Sequence, residues 1–507
     1  MANLVARNPN TGRWLALTAA LLGWMFDGFE MGLFPVVSRP ALKELLGVDG
    51  SLAEHDKLIG YWNSLITSAF LVGAATGGVL FGWLGDRMGR VRAMTLSILT
   101  YALCSGLGGF ATAAWHLVVI RFVAALGMGG EWSLGVALVM EVWKGQSRAM
   151  LAGLIGAAAN VGYLLVGLLG LSLGALRGWL TAQGLSESWV EWRLLMVCGA
   201  LPALLTFFIR LWVPESESWE NERDKGKTTG WHSIDLLSVL AGVLVCAGLL
   251  AFWLNVENGP ARIVALVIAV VLVSVCYLYP IHRYLERSNE DVATRWGIIQ
   301  TMLLGALLSG IPLLATWGAV QWAPLWANQL GEKVVKAIDP ADTAAVKSAK
   351  DATRPYAQYA QMSSALGATI GCVVGAAFAG WAGRRIAYVL LCVTSLGAVW
   401  WFYLGNTEFG AMFLVSLFFT GFFSAAFYGW LPLYLPELFP TRIRATGQGF
   451  CFNFGRILAA VGVLQVPVLM GSPPNYPQAC STLALIYVLG VLVIWLAPET
   501  RGRALPE

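Results

Sequence analysis

Long apolar runs separated by short charged segments recur along the whole chain of 507 residues. The longer runs reach the roughly 20 residues that a helix needs to cross the hydrocarbon core of a membrane. Hydrophobic residues make up 57% of the chain and charged residues only 12%, about half the charged share of soluble domains. The pattern therefore predicts an all-α protein that crosses the lipid bilayer many times.

Fourteen membrane spans are predicted, as six, then two central ones, then six more. The predicted organisation is a six-helix bundle over residues 1–213, a cytoplasmic linker with two additional helices over 214–295, and a second six-helix bundle with a short cytoplasmic tail over 296–507. The spans are expected near 14–37, 59–83, 93–112, 115–140, 150–174, 192–213, 233–255, 262–281, 296–323, 357–381, 386–404, 409–434, 446–470 and 479–496.

A charge pattern is repeated in the two halves of the chain. Glu141 is followed seven residues later by Arg148, and Glu437 is followed seven residues later by Arg444. In a chain this apolar, matching charges in matching loops indicate a duplicated membrane bundle, and such internal repeats are typical of secondary transporters.

Lysine and arginine residues collect on one set of loops. If the amino terminus lies inside the cell, the inner segments carry most of them, among them Arg87, Arg287 and Arg503. The positive-inside rule then predicts that both termini are cytoplasmic. Because the first apolar run is full length, we interpret it as a membrane helix rather than a cleavable signal. The expected location is the inner membrane of a bacterium.

Several other classes of function are disfavoured. The eight cysteines and four histidines lack the spacing of metal ligands, so we expect no metal and no other cofactor. No Gly-rich loop is followed by the Lys-Ser or Lys-Thr pair of a nucleotide site, which argues against direct use of ATP. The basic residues lie in short loops, so nucleic acid is not an expected partner. We expect a monomer that is not an enzyme.

The segment GWLGDRMGR at residues 82–90 resembles the signature between the second and third helices of the major facilitator superfamily. With the repeated charges and the Pro-Glu pairs at 214–215 and 498–499, the resemblance spans nearly the whole chain. It implies the major facilitator fold, here with two extra central helices, and alternating access. It also implies a cytoplasmic gate made of Asp86, Arg90, Glu141, Arg148, Arg384, Glu437 and Arg444.

Gly380 stands where a second aspartate would match Asp86. The carboxyl-terminal half is therefore expected to be held less strongly by this gate. The other interpretation of the gate residues is that they are ordinary loop charges which set only the orientation in the membrane.

Shorter motifs resemble particular branches of the superfamily. DGFE at 27–30 and GMGGEW at 127–132 resemble motifs of metabolite–proton symporters, in particular the aromatic-acid and sialate families. The extra central hairpin is similar to the fourteen-span plan of sialate–proton symporters. However, LPELFPTR at 435–442 equally resembles sugar porters and organic-ion carriers.

Charged residues inside the predicted spans are candidates for proton coupling. Each costs roughly 2.5–3.5 kcal/mol at the bilayer centre, so it usually faces a cavity or a partner. Asp27 and Glu30 lie on one helix face, and nearby carboxylates raise each other's proton affinity. Glu131 is the third candidate. The alternative for each carboxylate is a permanent ion pair that only stabilises the fold.

The predicted substrate site centres on Arg456, which lies in the span predicted at 446–470. A guanidinium binds a carboxylate through two parallel hydrogen bonds, and Asn453 lies one helical turn away. Arg121 either contributes to this site or extends to the outer interface. It lies about 15 Å along the fourth helix from Glu131, so each needs a partner elsewhere. Neutral hydrogen bonds are expected from Gln300 and Gln321.

These observations predict proton-coupled symport of a small organic anion, such as a sialic acid, a sugar acid or an aromatic acid. The partners are the small-molecule substrate, protons and the lipid bilayer. The alternative is a sugar porter or facilitative carrier for a neutral sugar or polyol. A receptor or enzyme that has kept a transporter fold is a further alternative.

Overall fold

The computed structural model describes residues 9–48, 53–142, 148–187, 189–202, 204, 234–256, 258–287, 291–440, 444–471, 474–503 and 506. All regular structure in these ranges is helical. The helices fall into an amino-terminal half before residue 205, a central hairpin, and a carboxyl-terminal half after residue 291. The boundaries predicted from the sequence, after residues 213 and 295, remain predictions.

The amino-terminal half contains long helices joined by short connections. These are α1 (Pro9–Leu46), α2 (Ala53–Met88), α3 (Arg90–Leu107), α4 (Ala114–Val142) and α5 (Arg148–Ala175), followed by the short α6 (Arg177–Ala182) and α7 (Leu194–Val197). The central hairpin consists of α8 (Asp235–Asn255) and α9 (Gly259–Arg287).

The carboxyl-terminal half repeats the plan with more interruptions. Its helices are α10 (Val292–Gly318), α11 (Ala323–Lys336), α12 (Thr343–Thr353), α13 (Tyr356–Ala382), α14 (Arg384–Gly405), α15 (Ala411–Ala425), α16 (Phe427–Tyr434), α17 (Arg444–Val463), α18 (Val466–Leu469), α19 (Tyr476–Leu483) and α20 (Ile486–Val493).

Eleven helices within the described ranges are long and apolar enough to cross a membrane. Two shorter apolar helices, Ala114–Gly130 and Leu237–Trp253, coincide with two further predicted spans. The remaining predicted span, 192–213, lies largely outside the described residues. The multi-pass, all-helical architecture is confirmed, whereas the count of fourteen spans stays a prediction.

The segment between the spans predicted at 296–323 and 357–381 is mostly helical. α11 continues to Lys336, and α12 follows as a separate helix. The Asp342 side chain accepts a hydrogen bond from the backbone amide of Ala345 and caps α12. An N-cap of this type together with helix-forming alanine and lysine residues stabilises a helix that hydropathy does not detect.

The span predicted at 296–323 bends where α10 ends and α11 begins. Ala319 leaves the helical region with φ −129° and ψ −64°, and a short 3₁₀ turn, Val320–Trp322, leads into α11. Pro324 lies in the first turn of α11, where its missing amide hydrogen is not needed. The bend lets two half-helices approach the centre of the protein at different angles.

The two halves meet along two helix pairs, α2 with α17 and α5 with α13. Small residues allow the close approach: a Cβ atom on Gly156 would lie 2.9 Å from the Cys372 sulfur, and one on Gly153 would lie 2.9 Å from Val373 Cα. The central hairpin packs outside the first pair. Its Tyr277 hydroxyl shares a 2.6 Å hydrogen bond with Thr76 of α2.

Candidate functional site

Two ends of the bundle are distinguished by connectivity. The outer end is where α1 ends and α2 begins, and the inner end is where α2 ends and α3 begins. The predicted orientation places the outer end outside the cell and the inner end in the cytoplasm.

A cavity of about 120 Å³ lies between the two halves. α1 and α5 line it from the amino-terminal half. From the other half it is lined by α10, the 3₁₀ turn Val320–Trp322, the start of α11, and α13, α15, α16 and α17. Its walls combine aromatic, small and polar side chains. A cavity of this kind, apolar with a few convergent polar groups, is the usual form of a small-molecule site.

Asp27 and Arg456 face this cavity from opposite halves. Asp27 is 4% exposed and Arg456 is 6% exposed. They are close enough for the Asp27 carboxylate to act electrostatically on the Arg456 guanidinium. Both residues were predicted from sequence, and the structure brings them together at one site.

Arg456 is positioned by neighbours on its own helix. Its Nη1 donates a 3.2 Å hydrogen bond to Asn453 Oδ1, and its guanidinium carbon lies 4.9 Å from the centre of the Phe452 ring. Asn453 in turn packs against Gly78 of α2: a Cβ atom on Gly78 would lie 2.8 Å from Asn453 Oδ1 and closer still to the amide nitrogen. The predicted neighbourhood of Arg456 and Asn453 is therefore present, and it touches the other half of the protein.

Glu30 and Arg121 form an ion pair inside the amino-terminal half. Ser105 donates a 2.6 Å hydrogen bond to Glu30 Oε1, and the Arg121 guanidinium lies 4.5 Å from the centre of the Phe70 ring. Arg121 is 2% exposed, so it does not extend to the outer interface. The second Glu30 oxygen and Arg121 Nε are buried without a hydrogen-bond partner among the described residues.

Arg121 borders a smaller cavity of about 10 Å³ next to the central one. Trp317 and Gln321 line both cavities. Gln321 Nε2 also donates a 3.0 Å hydrogen bond to the Tyr163 hydroxyl, which joins the two halves. The predicted polar residue Gln321 therefore lies at the wall between the ion pair and the central cavity.

Two of the predicted site residues, Gln300 and Glu131, are not among the described residues that line the cavity. Gln300 is exposed on the surface of α10 and does not line the cavity, because it lies about 20 Å along the helix from Leu313, where the cavity-lining part of α10 begins. The side chain of Glu131 lies outside the described residues.

The sequence did not single out Trp24, Tyr163 or Gln361, although all three line the cavity. Tryptophan and tyrosine are common at membrane interfaces, so their presence in a span carries little information. A signal for Gln361 exists in retrospect, since Gln361 and Ser364 place two polar groups on one face of a predicted membrane helix.

A cluster of charges joins the halves at the outer end, and we call it the first outer cluster. Arg39 of α1 donates to Asp56 at 2.6 Å and to Glu332 of α11 at 2.7 Å and 2.9 Å. Lys43 also contacts Glu332 at 3.2 Å, and Gln329 donates to Asp56 at 2.8 Å. Arg39 is only 1% exposed. The sequence analysis did not predict this cluster, because it expected the first span to end at residue 37, before Arg39. The helix α1 in fact continues to Leu46.

A second outer cluster lies nearby. Arg354, just before α13, contacts Glu187 at 3.3 Å and Glu191 at 3.2 Å in the amino-terminal half, and Arg177 pairs with the same two carboxylates. Burial raises the pKa of the Glu191 carboxyl, although Arg177 acts to lower it. Both clusters join the amino-terminal half to the carboxyl-terminal half at the outer end.

At the inner end, the structure brings together Arg384 and Glu437 of the predicted cytoplasmic gate. The guanidinium donates two parallel hydrogen bonds, at 2.7 Å and 2.9 Å, and Thr500 donates a third to Glu437 at 2.6 Å. The side chains of the other predicted gate residues, Asp86, Arg90, Glu141, Arg148 and Arg444, lie outside the described part of the chain.

Glu499, from the second Pro-Glu pair, caps the start of α14. It accepts hydrogen bonds of 3.0 Å from the amides of Arg384 and Arg385. Burial acts to raise the pKa of Glu499, but the backbone amides of Arg384, Arg385, Arg501 and Thr500 outweigh it and lower the pKa. Gly383 precedes α14 with φ +99°, and Gly89 precedes α3 with φ +105°, so the two halves share this glycine turn.

Comparisons with known proteins extend the geometric picture. The family model described as Major Facilitator Superfamily matches residues 14–463. A protein of Cupriavidus pinatubonensis described as a probable 4-methylmuconolactone transporter is 28% identical over 499 residues, with 96% of this chain and 91% of the relative covered. The sialic acid transporter NanX of Escherichia coli is 23% identical over 509 residues, with 99% and 98% covered.

The fold also matches solved structures. The proton:xylose symporter XylE bound to 6-bromo-6-deoxy-D-glucose superposes with a TM-score of 0.63 at 17% identity, and 98% of each chain is covered. At this identity the match concerns the fold alone. Two helical halves around one cavity and a family match over residues 14–463 lead to one conclusion: this chain belongs to the Major Facilitator Superfamily and is a multi-pass membrane transporter of metabolites.

Proposed function

We propose that this protein is a proton-coupled symporter which takes up a small organic anion by alternating access. The observation that carries the proposal is the placement of Asp27 and Arg456 in one cavity, on opposite halves of the protein. One group can carry a proton and the other can hold a carboxylate, and both lie where a substrate would be enclosed.

Arg456 is the proposed anion-binding residue. Among the residues that the structure describes, Asn453 engages one guanidinium nitrogen of Arg456, which leaves donors for two parallel hydrogen bonds to a substrate carboxylate. The ring of Phe452 beside the guanidinium limits its hydration. A desolvated cation binds an anion more strongly than one in water, because the local dielectric constant is lower.

Asp27 is the proposed proton carrier. When a substrate carboxylate occupies Arg456, two negative groups share one cation, and like charges favour protonation of one of them. Binding of the anion therefore promotes proton uptake by Asp27, and loss of the proton promotes release of the anion. Glu30 and Glu131 remain further proton-coupling candidates, with Glu30 held by Arg121.

Alternating access requires the contacts at the two ends to break in turn. Both outer clusters link the halves and must separate when the cavity opens outward. We propose that the predicted cytoplasmic gate, including Arg384, Glu437 and Arg444, does the same at the inner end. The protein is further proposed to act as a monomer in a bacterial inner membrane, with both termini in the cytoplasm.

The named activities of the relatives support a metabolite anion. One relative is named as a transporter of a lactone and another as a transporter of sialic acid. A neutral sugar or polyol is the second candidate, because Asn160, Gln321 and Gln361 present uncharged hydrogen-bonding groups to the cavity. Hydroxyl groups suit such side chains, whereas an arginine in the cavity suits an anion.

A substrate panel in proteoliposomes tests the proposal. Uptake of radiolabelled carboxylic acids and of neutral sugars is measured with and without an imposed pH gradient, acid outside. We expect concentrative uptake of a carboxylic acid that needs the gradient and disappears in Arg456→Ala. Uptake of a neutral sugar that is equal in wild type and Arg456→Ala would favour the sugar porter and exclude the anion.

A further inference from the structure

We propose that Gln361 is a specificity-determining residue that binds a second polar group of the substrate. This inference rests on the proposed function, because it takes the carboxylate of the same substrate to lie on Arg456. It names the substrate class as a ring-sized carboxylic acid with a second hydrogen-bonding group, such as a ring hydroxyl or a ring nitrogen.

The Gln361 side-chain nitrogen has no hydrogen-bond partner among the described residues. Gln361 lines the cavity and is only 4% exposed. Its Nε2 is buried and makes no hydrogen bond to the residues that the structure describes. A buried polar group without a partner is costly, so most such groups are satisfied by protein, water or ligand. An amide both donates and accepts, and it can therefore bind a hydroxyl, a carbonyl or a ring nitrogen.

Neighbouring polar groups lie beside Gln361. A Cβ atom on Gly32 of α1 would lie 2.9 Å from both Gln361 Nε2 and a ring carbon of Tyr163, so the amide and the phenol ring are side by side. The Tyr163 hydroxyl already accepts a hydrogen bond from Gln321. Gln321 and Tyr163 bond to each other, whereas the Gln361 nitrogen bonds to no other residue in the described part of the chain.

The same region is close to the anion site. Tyr163 lies near enough to Arg456 for the two to interact electrostatically. Gln361 and Arg456 line the same cavity, so one molecule inside it can contact Arg456 with its carboxylate and Gln361 with a second group.

The cavity fits a single ring. Its volume of about 120 Å³ is similar to that of an engineered apolar cavity of about 150 Å³ that binds benzene. Trp24, Trp317, Tyr428 and Phe452 supply aromatic surface around it, and aromatic side chains pack favourably against a planar ring. A nine-carbon sugar acid is larger than this space.

The test compares pairs of ring acids that differ in one polar group. Benzoate, the three hydroxybenzoates and nicotinate are used as transport substrates in proteoliposomes of wild type, Gln361→Leu and Gln361→Asn. We expect wild type to transport nicotinate or one hydroxybenzoate several-fold more efficiently than benzoate, measured as Vmax/KM. In Gln361→Leu the ratio of Vmax/KM for the substituted acid to that for benzoate should fall to about one, while benzoate transport is kept. In Gln361→Asn the ratio should lie between those of wild type and Gln361→Leu.

Gln358→Leu is the matched control. Gln358 lies on the same helix, three residues away, but it does not line the cavity. It should keep the wild-type preference. Arg456→Ala should lose benzoate and the substituted acids alike.

The outcomes separate this inference from the proposed function. If Arg456→Ala abolishes benzoate transport but Gln361→Leu keeps the full preference, the role of Gln361 is wrong and the anion site stands. Equal loss of all ring acids in Gln361→Leu and Gln361→Asn would show a structural role and overturn the inference. Wild-type transport of other carboxylic acids but of no ring acid would overturn the substrate class alone.

Discussion

Asn453 of α17 lies directly against Gly78 of α2, close enough that a Cβ atom on Gly78 would stand 2.8 Å from the Asn453 side-chain oxygen. That oxygen also accepts the hydrogen bond from Arg456. The partner that positions the cavity cation is thus itself positioned by a contact between the two halves. Opening and closing of the α2–α17 interface can therefore change how Arg456 is held.

Gly78→Ala is expected to impair anion transport. The added methyl group would displace the Asn453 amide, and inserting one carbon into a packed interface costs about 1–3 kcal/mol. Because Asn453 would move away from Arg456, we expect a reduction in Vmax/KM for the carboxylate substrate of roughly tenfold, which corresponds to about 1.4 kcal/mol. Uptake kinetics in proteoliposomes measure it.

Gly397→Ala serves as the control for this variant. A Cβ atom on Gly397 would meet nothing within 4 Å, so the same chemical change at that position should leave transport unaltered. Wild-type kinetics in Gly78→Ala would show that the contact between Asn453 and Gly78 does not position the arginine.

The buried pair of Glu30 and Arg121 gives a prediction on stability. Removing one partner leaves an uncompensated buried charge, which costs about 3–5 kcal/mol, whereas replacing both by apolar residues is often tolerated. We therefore expect Arg121→Met to lower the melting temperature of the detergent-solubilised protein strongly. The double variant Glu30→Leu with Arg121→Met should recover much of the loss.

Transport by the same double variant decides the role of Glu30. If it recovers both stability and proton-driven accumulation, Glu30 is a structural partner only. If it recovers stability without accumulation, Glu30 takes part in proton coupling. A double variant less stable than Arg121→Met would contradict the account of the pair as mutually compensating charges.

The charged residues of the cavity could be predicted from the sequence, because a polar residue inside an apolar span needs a cavity or a partner. That rule singled out Asp27, Asn453 and Arg456, and the structure places all three at or beside the cavity. It also singled out Arg121, but the rule does not say which partner a charge will find. The pairing with Glu30 depends on how α1 packs against α4, and no local pattern shows that packing.

Other features escaped sequence reasoning for equally physical reasons. Hydropathy ends a span where charges begin, but the helix itself continues wherever its backbone hydrogen bonds are satisfied, and so Arg39 belongs to α1. α12 is polar and amphipathic, and it therefore resembles a loop by hydropathy. Gln300 and Gln361 have the same side chain in similar spans, yet only Gln361 faces the cavity. The direction in which one polar residue faces is set by tertiary packing.

Glu332→Gln is expected to open the outer end. The substitution removes the charge that holds Arg39 and Lys43 of α1 to α11. A cysteine introduced at Val320, which lines the cavity, should then react several-fold faster with a membrane-impermeant maleimide applied from outside. The same chain without the added cysteine gives the background rate.

Glu286→Gln is the control for the outer cluster. Glu286 forms an exposed ion pair of the same 2.7 Å length with Arg283 of α9 and a longer one of 3.8 Å with Arg295 of α10, and neither contact joins the amino-terminal half to the carboxyl-terminal half. Its labelling rate should equal that of wild type. If Glu332→Gln also labels at the wild-type rate, the first outer cluster does not hold the outer end closed.

The pH outside the cell is expected to change how readily the outer end opens, through protonation of Glu191. Burial raises the pKa of Glu191 above its ordinary value of 4.5 in this closed arrangement, and an opened outer end would return it toward that value. The closed state therefore binds the proton more tightly, and acidification favours closure, with the effect complete below 4.5 and absent above the raised pKa. The charged groups that act on Glu191 are Arg177, Arg354, Lys43, Glu44 and Lys350.

Maleimide labelling of the Val320 cysteine as a function of external pH measures this effect. Labelling in the wild-type background should slow as the pH falls through the raised pKa. Glu191→Gln cannot titrate, so its labelling should show a smaller dependence on pH in that window. Asp351→Asn removes an exposed carboxylate from the same Arg354 and should keep the wild-type profile. A profile unchanged by Glu191→Gln would rule out this carboxyl as the titrating group.

The central claim is that one cavity couples a proton on Asp27 to an anion on Arg456. The most direct measurement compares two kinds of flux in proteoliposomes containing Asp27→Asn. Because the asparagine side chain stays neutral, Asp27→Asn should keep the exchange of internal for external labelled carboxylate. It should lose accumulation driven by an imposed pH gradient. Gradient-driven accumulation at the wild-type level in Asp27→Asn would contradict the claim.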